Sequence, residues 1–328
     1  MSYQSGPIAS SPVLIVGSMA LDNVRTPIGE AKNALGGAAN YSSVAASFFS
    51  AVRLVGVVGD DFPQEHLDFL RSRDIDLLGV ETIAGGKTFR WAGYYDFDLN
   101  IAHTLDTQLN VFADFQPKLP EAFQASQFVF LANIDPTLQL DILSQVKDPV
   151  LTVCDTMNFW IEGKRDQLLE VLARVDVAFM NDAEARQITG KLSVVKAAKA
   201  LQALGPKTVI IKKGEHGALL FSGDEHFAAP SYPLEDITDP TGAGDSFAGG
   251  FIGYVARHAG GDSSVVDADT VPTAVLRRAT VFGSVMASFN VEDFSLNRMR
   301  TLTNEDIRRR YEEFRDIAYF EALDDSMI

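Results

Sequence analysis

A single cysteine, Cys154, in 328 residues excludes a disulfide framework and a multi-cysteine metal centre, and its place inside an apolar strand-like run reads as core. Basic residues are short too: 28 Lys and Arg stand against 44 Asp and Glu, a formal net charge of −16. That balance argues against nucleic acid as a partner, because phosphate backbones are held by basic surfaces. No apolar run reaches the length of a membrane span. The N-terminus also lacks a charged segment followed by an apolar one, so no membrane attachment and a cytoplasmic location are expected. Two common nucleotide motifs are missing. A G-x-G-x-x-G run from Gly242 would need glycine where Phe247 stands, and the Gly85 to Thr88 stretch would need glycine at Glu81 to be a phosphate-binding P-loop.

What is present has an α/β rhythm. Short apolar runs predict strands at Val13–Val16, Val52–Val58, Phe128–Leu131, Val150–Val153, Val177–Met180, Thr208–Ile211 and Ala218–Phe221. Helical spacing fills Gly37–Phe49, Pro63–Arg73, Leu138–Val146, Asp166–Ala173, Asp182–Ile188 and Val194–Ala203. Such alternation predicts a mainly parallel sheet with helices on both faces, and the stretch after Asp245 reads as chiefly helical. There is no repeat or break in composition, so residues 12–318 are expected to form one domain, with tails at 1–11 and 319–328. One segment departs from the rhythm. From Lys87 to Asp98, Phe89, Trp91, Tyr95 and Phe97 fall on one side of a period-two pattern, which fits a half-covered strand, a lid over a ligand or a dimer contact.

The run Asp239-Pro240-Thr241-Gly242-Ala243-Gly244-Asp245 joins a small-residue turn to an apolar helix marked by Phe247, Phe251, Ile252 and Val255. Amides at a helix start have no intrahelical partner and carry the positive end of its dipole, so a glycine turn there admits an anion. Asp245 in the first turn is placed to take a proton, although an acidic residue there is also an ordinary cap. Gly36-Gly37-Ala38-Ala39-Asn40 opens another helix, and Asp22 follows the first strand; both positions are where open α/β sheets bind ligands. Asn181-Asp182-Ala183-Glu184 has the spacing of a reciprocal helix cap. In Lys212-Lys213-Gly214 the two lysines alternate across a strand, so at most one faces a cleft.

Together these motifs resemble the PfkB or ribokinase family of carbohydrate and nucleoside kinases, whose signature D-T-x-G-A-G-D reads D-P-T-G-A-G-D here. The resemblance implies a ribokinase-like α/β fold with a small β lid built from residues 22–35 and 86–113. It implies Asp245 as catalytic base with Gly242, Ala243 and Gly244 as anion hole, and Asp22, Gly36, Gly37 and Asn40 as acceptor-binding residues. Asn181, Glu184, Lys213, Gly214 and Thr241 would border the nucleotide, Glu184 holding Mg²⁺ through water. Asp239 would supply half of a monovalent-cation site, with Glu292 or Asp293 as candidates to complete it. The glycine pattern that goes with such a site is absent from Ser288 to Phe294, which argues against potassium activation. The expected partners are Mg²⁺-ATP and a small polyhydroxylated acceptor, with the lid as a candidate homodimer contact. A sugar hydroxymethyl group is the expected acceptor, a nucleoside the alternative, and a non-catalytic regulator on the same fold the reading from another class.

Overall fold

In the computed structural model, residues 11–259, 265 and 267–322 are described. Most of the two expected tails, residues 1–10 and 323–328, lies outside them. In chain order the strands are β1 (Val13–Val16), β2 (Ala20–Arg25), β3 (Glu30–Gly36), β4 (Val52–Gly59), β5 (Ile75–Ile83), β6 (Phe89–Tyr95) and β7 (Ala102–Gln108). They continue with β8 (Phe128–Leu131), β9 (Leu151–Cys154), β10 (Val177–Asn181), β11 (Thr208–Lys212), β12 (Ala218–Ser222) and β13 (Glu225–Ala229).

Nine strands form the central sheet in the order β13-β12-β11-β10-β9-β8-β1-β4-β5. Pairing is parallel from β5 through β11 and antiparallel for β12 and β13. The parallel strands are continuous apolar runs because both faces are covered. Val13 and Ile15 enter one core with Phe130, Phe179 and Phe251, while Leu14 and Val16 enter another with Phe123, Val129 and Leu131. The order in which successive strands are added reverses between β1 and β8, which leaves a crevice at the carboxyl ends of the strands. Two strands escape the apolar pattern. β5 and β13 are the sheet's edges, and each has a single buried residue, the rest being half-buried or exposed.

The second sheet has the order β3-β2-β6-β7. β6 runs parallel to β2 and antiparallel to β7, with register shifts in β2–β3 and β6–β7. It stands over the crevice. Phe97 lies beyond the end of β6 in a turn and is 92% exposed, so it does not continue the aromatic row of that strand.

Candidate active site

The helix Ala243–Ala259 starts where it does because the turn before it has other bonds to make. Asp239 Oδ1 accepts from the Thr241 N–H at 2.9 Å, and Gly242 takes φ +75°. A side chain on Gly242 would run into the Tyr41 ring, within 2.4 Å of it. Asn290 fixes the turn from the helix Thr273–Asn290: its Nδ2 donates to the Thr241 carbonyl at 2.7 Å, and its Oδ1 accepts from Ser246 Oγ at 3.0 Å. Ala243 N–H is turned back onto Pro240 O at 3.2 Å. Gly242, Gly244 and Asp245 N–H have no such partner among the described residues, so they are the amides open to an anion.

Asp245 stands at that point. Burial pushes its carboxyl up to about 7, the neighbouring Asp155 charge adds to the rise, and Lys212 opposes it. Across the crevice, Asp22 on β2 is only 4% exposed. Its carboxyl is pushed up to about 8, by burial first and then by Asp239 and Asp245, against the Gly37 N–H. Gly36 has to be glycine, since a Cβ there would sit 1.9 Å from Asp22 Oδ2. Asn40 is fully buried; its Nδ2 donates to Gly36 O at 2.6 Å, and its Oδ1 has no partner. A buried acceptor left unpaired next to a buried carboxyl suits a ligand that brings hydroxyls. Gly37, at φ +90°, brings the chain from β3 into the helix Ala38–Ala46, with Ser18 O accepting from Ala39 N–H.

The lid reaches the glycine turn directly: Thr241 Oγ1 donates to Tyr95 OH at 3.3 Å. Burial pushes Tyr95 up to about 12, with Asp239, Asp22 and Asp245 adding to the rise and Thr241 opposing it. Trp91 pairs with Asp22 in register, so both project from the same lid face, and the indole covers Gly93.

At the other end of the crevice, Asn181 and Glu184 form a complete capping box. Asn181 Oδ1 accepts from Glu184 N–H at 2.8 Å, and Glu184 Oε2 accepts from Asn181 N–H at 2.7 Å. Burial, with Asp155 beyond it, pushes Glu184 up to about 7. The cap leaves Glu184 Oε1 without a hydrogen bond among the described residues, and a hard oxygen donor of this kind near Asp155 fits Mg²⁺, which needs few direct protein ligands. Lys213 and Gly214 form a turn in which Lys213 N–H donates to Gly217 O at 2.8 Å and Gly214 has φ +55°. The lysine that turns toward the carboxylates is Lys212, bound to Asp155 Oδ2 at 2.6 Å. Alternation allowed either lysine; the ion pair with Asp155 decides for Lys212, the last residue of β11.

Around Asp239 both carboxylate oxygens are engaged, by Thr241 N–H and by Ser295 N–H at 3.2 Å. Glu292 does not complete a cation site with it. Its carboxylate is held between Arg298 at 2.8 Å and Arg310 at 2.6 Å. Asp293 Oδ1 accepts from Phe294 N–H at 2.7 Å.

Residues 16–299 match the model of the pfkB family carbohydrate kinases. The chain belongs to the PfkB family. It is 34% identical over 249 residues to a cytidine kinase of Thermococcus kodakarensis, covering 75% of this chain and 88% of that protein. A nucleoside kinase of Methanothermobacter thermautotrophicus is 28% identical over 292 residues, covering 88% of each. Among solved structures, ribokinase from Giardia lamblia superposes with a TM-score of 0.77 at 19% identity, covering 93% of this chain and 99% of that one. This PfkB protein therefore has the ribokinase fold and is an ATP-dependent phosphotransferase with a small hydroxylated acceptor. No described helix is long and apolar enough to cross a membrane.

Proposed function

We propose that this PfkB kinase moves the γ-phosphoryl group of ATP to the hydroxymethyl group of a nucleoside. Asp245 takes the proton of the attacking hydroxyl, and the free amides of Gly242, Gly244 and Asp245 receive the phosphoryl oxygens as charge shifts during transfer. Asp22 and the unpaired Asn40 Oδ1 meet the sugar hydroxyls, with Gly36 and Gly37 giving close backbone approach. Mg²⁺, when bound near Glu184, neutralises nucleotide phosphate charge. Lys213, Gly214 and Thr241 border the nucleotide. The lid excludes water, which would compete as phosphoryl acceptor.

The observation that carries the nucleoside reading is Trp91 next to Asp22 on one lid face, a flat aromatic surface beside the group that would bind ribose hydroxyls. The similarity to the Thermococcus kodakarensis cytidine kinase over most of both chains supports it. A free sugar is the second reading, favoured by the Asp22 and Asn40 pair, which serves a sugar ring with or without a base. ADP release is measured with Mg²⁺-ATP across nucleosides, free sugars, inositol and sugar phosphates, with a control lacking acceptor. Turnover is expected with nucleosides; turnover with free sugars alone sinks the proposal. In Trp91→Ala, KM for the nucleoside should rise about tenfold, the size of one lost base-stacking contact.

A further inference from the structure

We propose that Lys212 donates directly to the γ-phosphoryl group during transfer and that Asp155 is the residue that positions it. Lys212 ends β11 at the carboxyl edge of the sheet, and its stem passes over the Phe179 ring, with Nζ 5.7 Å from the ring centroid. The side chain is 17% exposed. Burial works against its charge, yet the carboxylates of Asp155 and Glu184 more than offset that, and the ammonium is held above its ordinary range. It stays a cation.

Its geometry is that of a group with donors to spare. An ammonium has three N–H bonds, and among the described residues Lys212 uses one, to Asp155 Oδ2. Nζ also lies 3.0 Å from where a Cβ on Gly244 would stand. The remaining donors therefore converge with the bare amides of Gly244 and Asp245 at one end of the crevice. A side chain at 244 would occupy the space between them. The surroundings are acidic, because Asp155, Glu184 and Asp245 all act on this one lysine. A purely structural lysine would be satisfied by Asp155, whereas phosphoryl oxygens arriving among three carboxylates need a fixed cation beside them.

Asp155 is suited to hold that cation still. Its Oδ1 accepts from Thr156 N–H at 2.9 Å, and its carbonyl accepts from the buried Gln139 Nε2 at 3.0 Å. In the transfer step the acceptor oxygen bonds to the γ-phosphorus while the bond from that phosphorus to the β–γ bridging oxygen breaks, the electron pair leaving with ADP. The hydroxyl proton goes to Asp245. Lys212 keeps its protons throughout and hydrogen-bonds a non-bridging oxygen of the transferring group.

The inference rests on Asp245 and the glycine turn being the transfer site, and Asp245→Asn tests that separately by its effect on turnover. For Lys212, the full chain is compared with Lys212→Met, Asp155→Asn and the double variant, each checked for an intact melting transition. The double variant removes the charge pair together, so Asp155 is not left buried without its partner. Loss of one transition-state donor predicts a kcat roughly 100-fold lower in Lys212→Met and in the double variant, with Asp155→Asn less affected. Titration without acceptor provides the second readout. The double variant should bind ATP about tenfold more weakly with ADP affinity nearly unchanged, as expected for a lost contact to the γ-phosphoryl group alone. A double variant with kcat within about threefold of the parent, or with ATP and ADP weakened equally, overturns the proposal by making Lys212 a counter-ion of Asp155 only.

Discussion

In the central sheet, β1, β8 and β9 are buried at every residue, whereas β7 of the lid has one half-buried residue and is otherwise exposed. The carboxylates divide along the same line. Asp155, Glu184 and Asp245 stand on the ends of packed elements, while Asp22 stands on a lid strand at the point where that strand leaves the core. A sheet covered on both faces holds its strand ends to fixed positions, which suits phosphoryl transfer, where small misplacements are costly. A sheet with one wet face can shift as a unit, which suits the side that admits and encloses an acceptor.

The largest way to break that comparison is on the rigid side. Asp245→Asn is expected to lower kcat by about 10³-fold or more while calorimetry shows ATP binding nearly unchanged; near-normal turnover would remove Asp245 as the base. In the same core, Phe179→Ala should cost about 3–5 kcal/mol in urea unfolding, because it empties a fully buried ring site packed by Phe130, Phe247 and Phe251. Leu105→Ala on β7, 63% exposed, should stay within about 0.5 kcal/mol. Equal costs would mean that the lid carries more of the fold than its burial indicates.

On the lid side, Asp22→Ala should raise KM for the acceptor by about 10- to 100-fold and KM for ATP by less than about threefold, the loss of one or two buried hydrogen bonds. Equal changes would detach Asp22 from the acceptor. The smallest effect comes from pH. Asp245 works as a base only when deprotonated, and its carboxyl is raised to about 7, so kcat/KM should climb with pH through about 7 and level off above it. Stability should move the other way. The folded chain keeps protons on Asp22, up to about 8, and on Asp245, up to about 7, that the unfolded chain releases near 4. Ligand-free melting temperature should therefore fall as pH rises from about 4 to 8, and Asp22→Asn should flatten that slope.

The same division explains what could be read from the sequence. β1, β8, β9, β10 and β11 stand out because burial on both faces demands unbroken apolar runs. β5 and β13 were hidden because an edge strand needs apolar residues only where it touches its neighbour. At the site, Asp245 and the glycines around it form a contiguous string and are legible as one. Asn290 is not: it binds Thr241 from 49 residues away, and nothing near it in the sequence marks it. Lys212 was half legible, since alternation limited the cleft-facing lysine to one of two and only the ion pair with Asp155, from the end of another strand, chooses between them.

The bond between Thr241 Oγ1 and Tyr95 OH ties lid strand β6 to the turn that opens the helix Ala243–Ala259. Asn100 adds a second contact, its Oδ1 standing 2.7 Å from where a Cβ on Gly214 would be. On the proposed reading, an acceptor that displaced Tyr95 would break this bond and with it one support of the Thr241 turn. The fit of one proposed substrate is thereby tied to the shape of the turn proposed to hold the other.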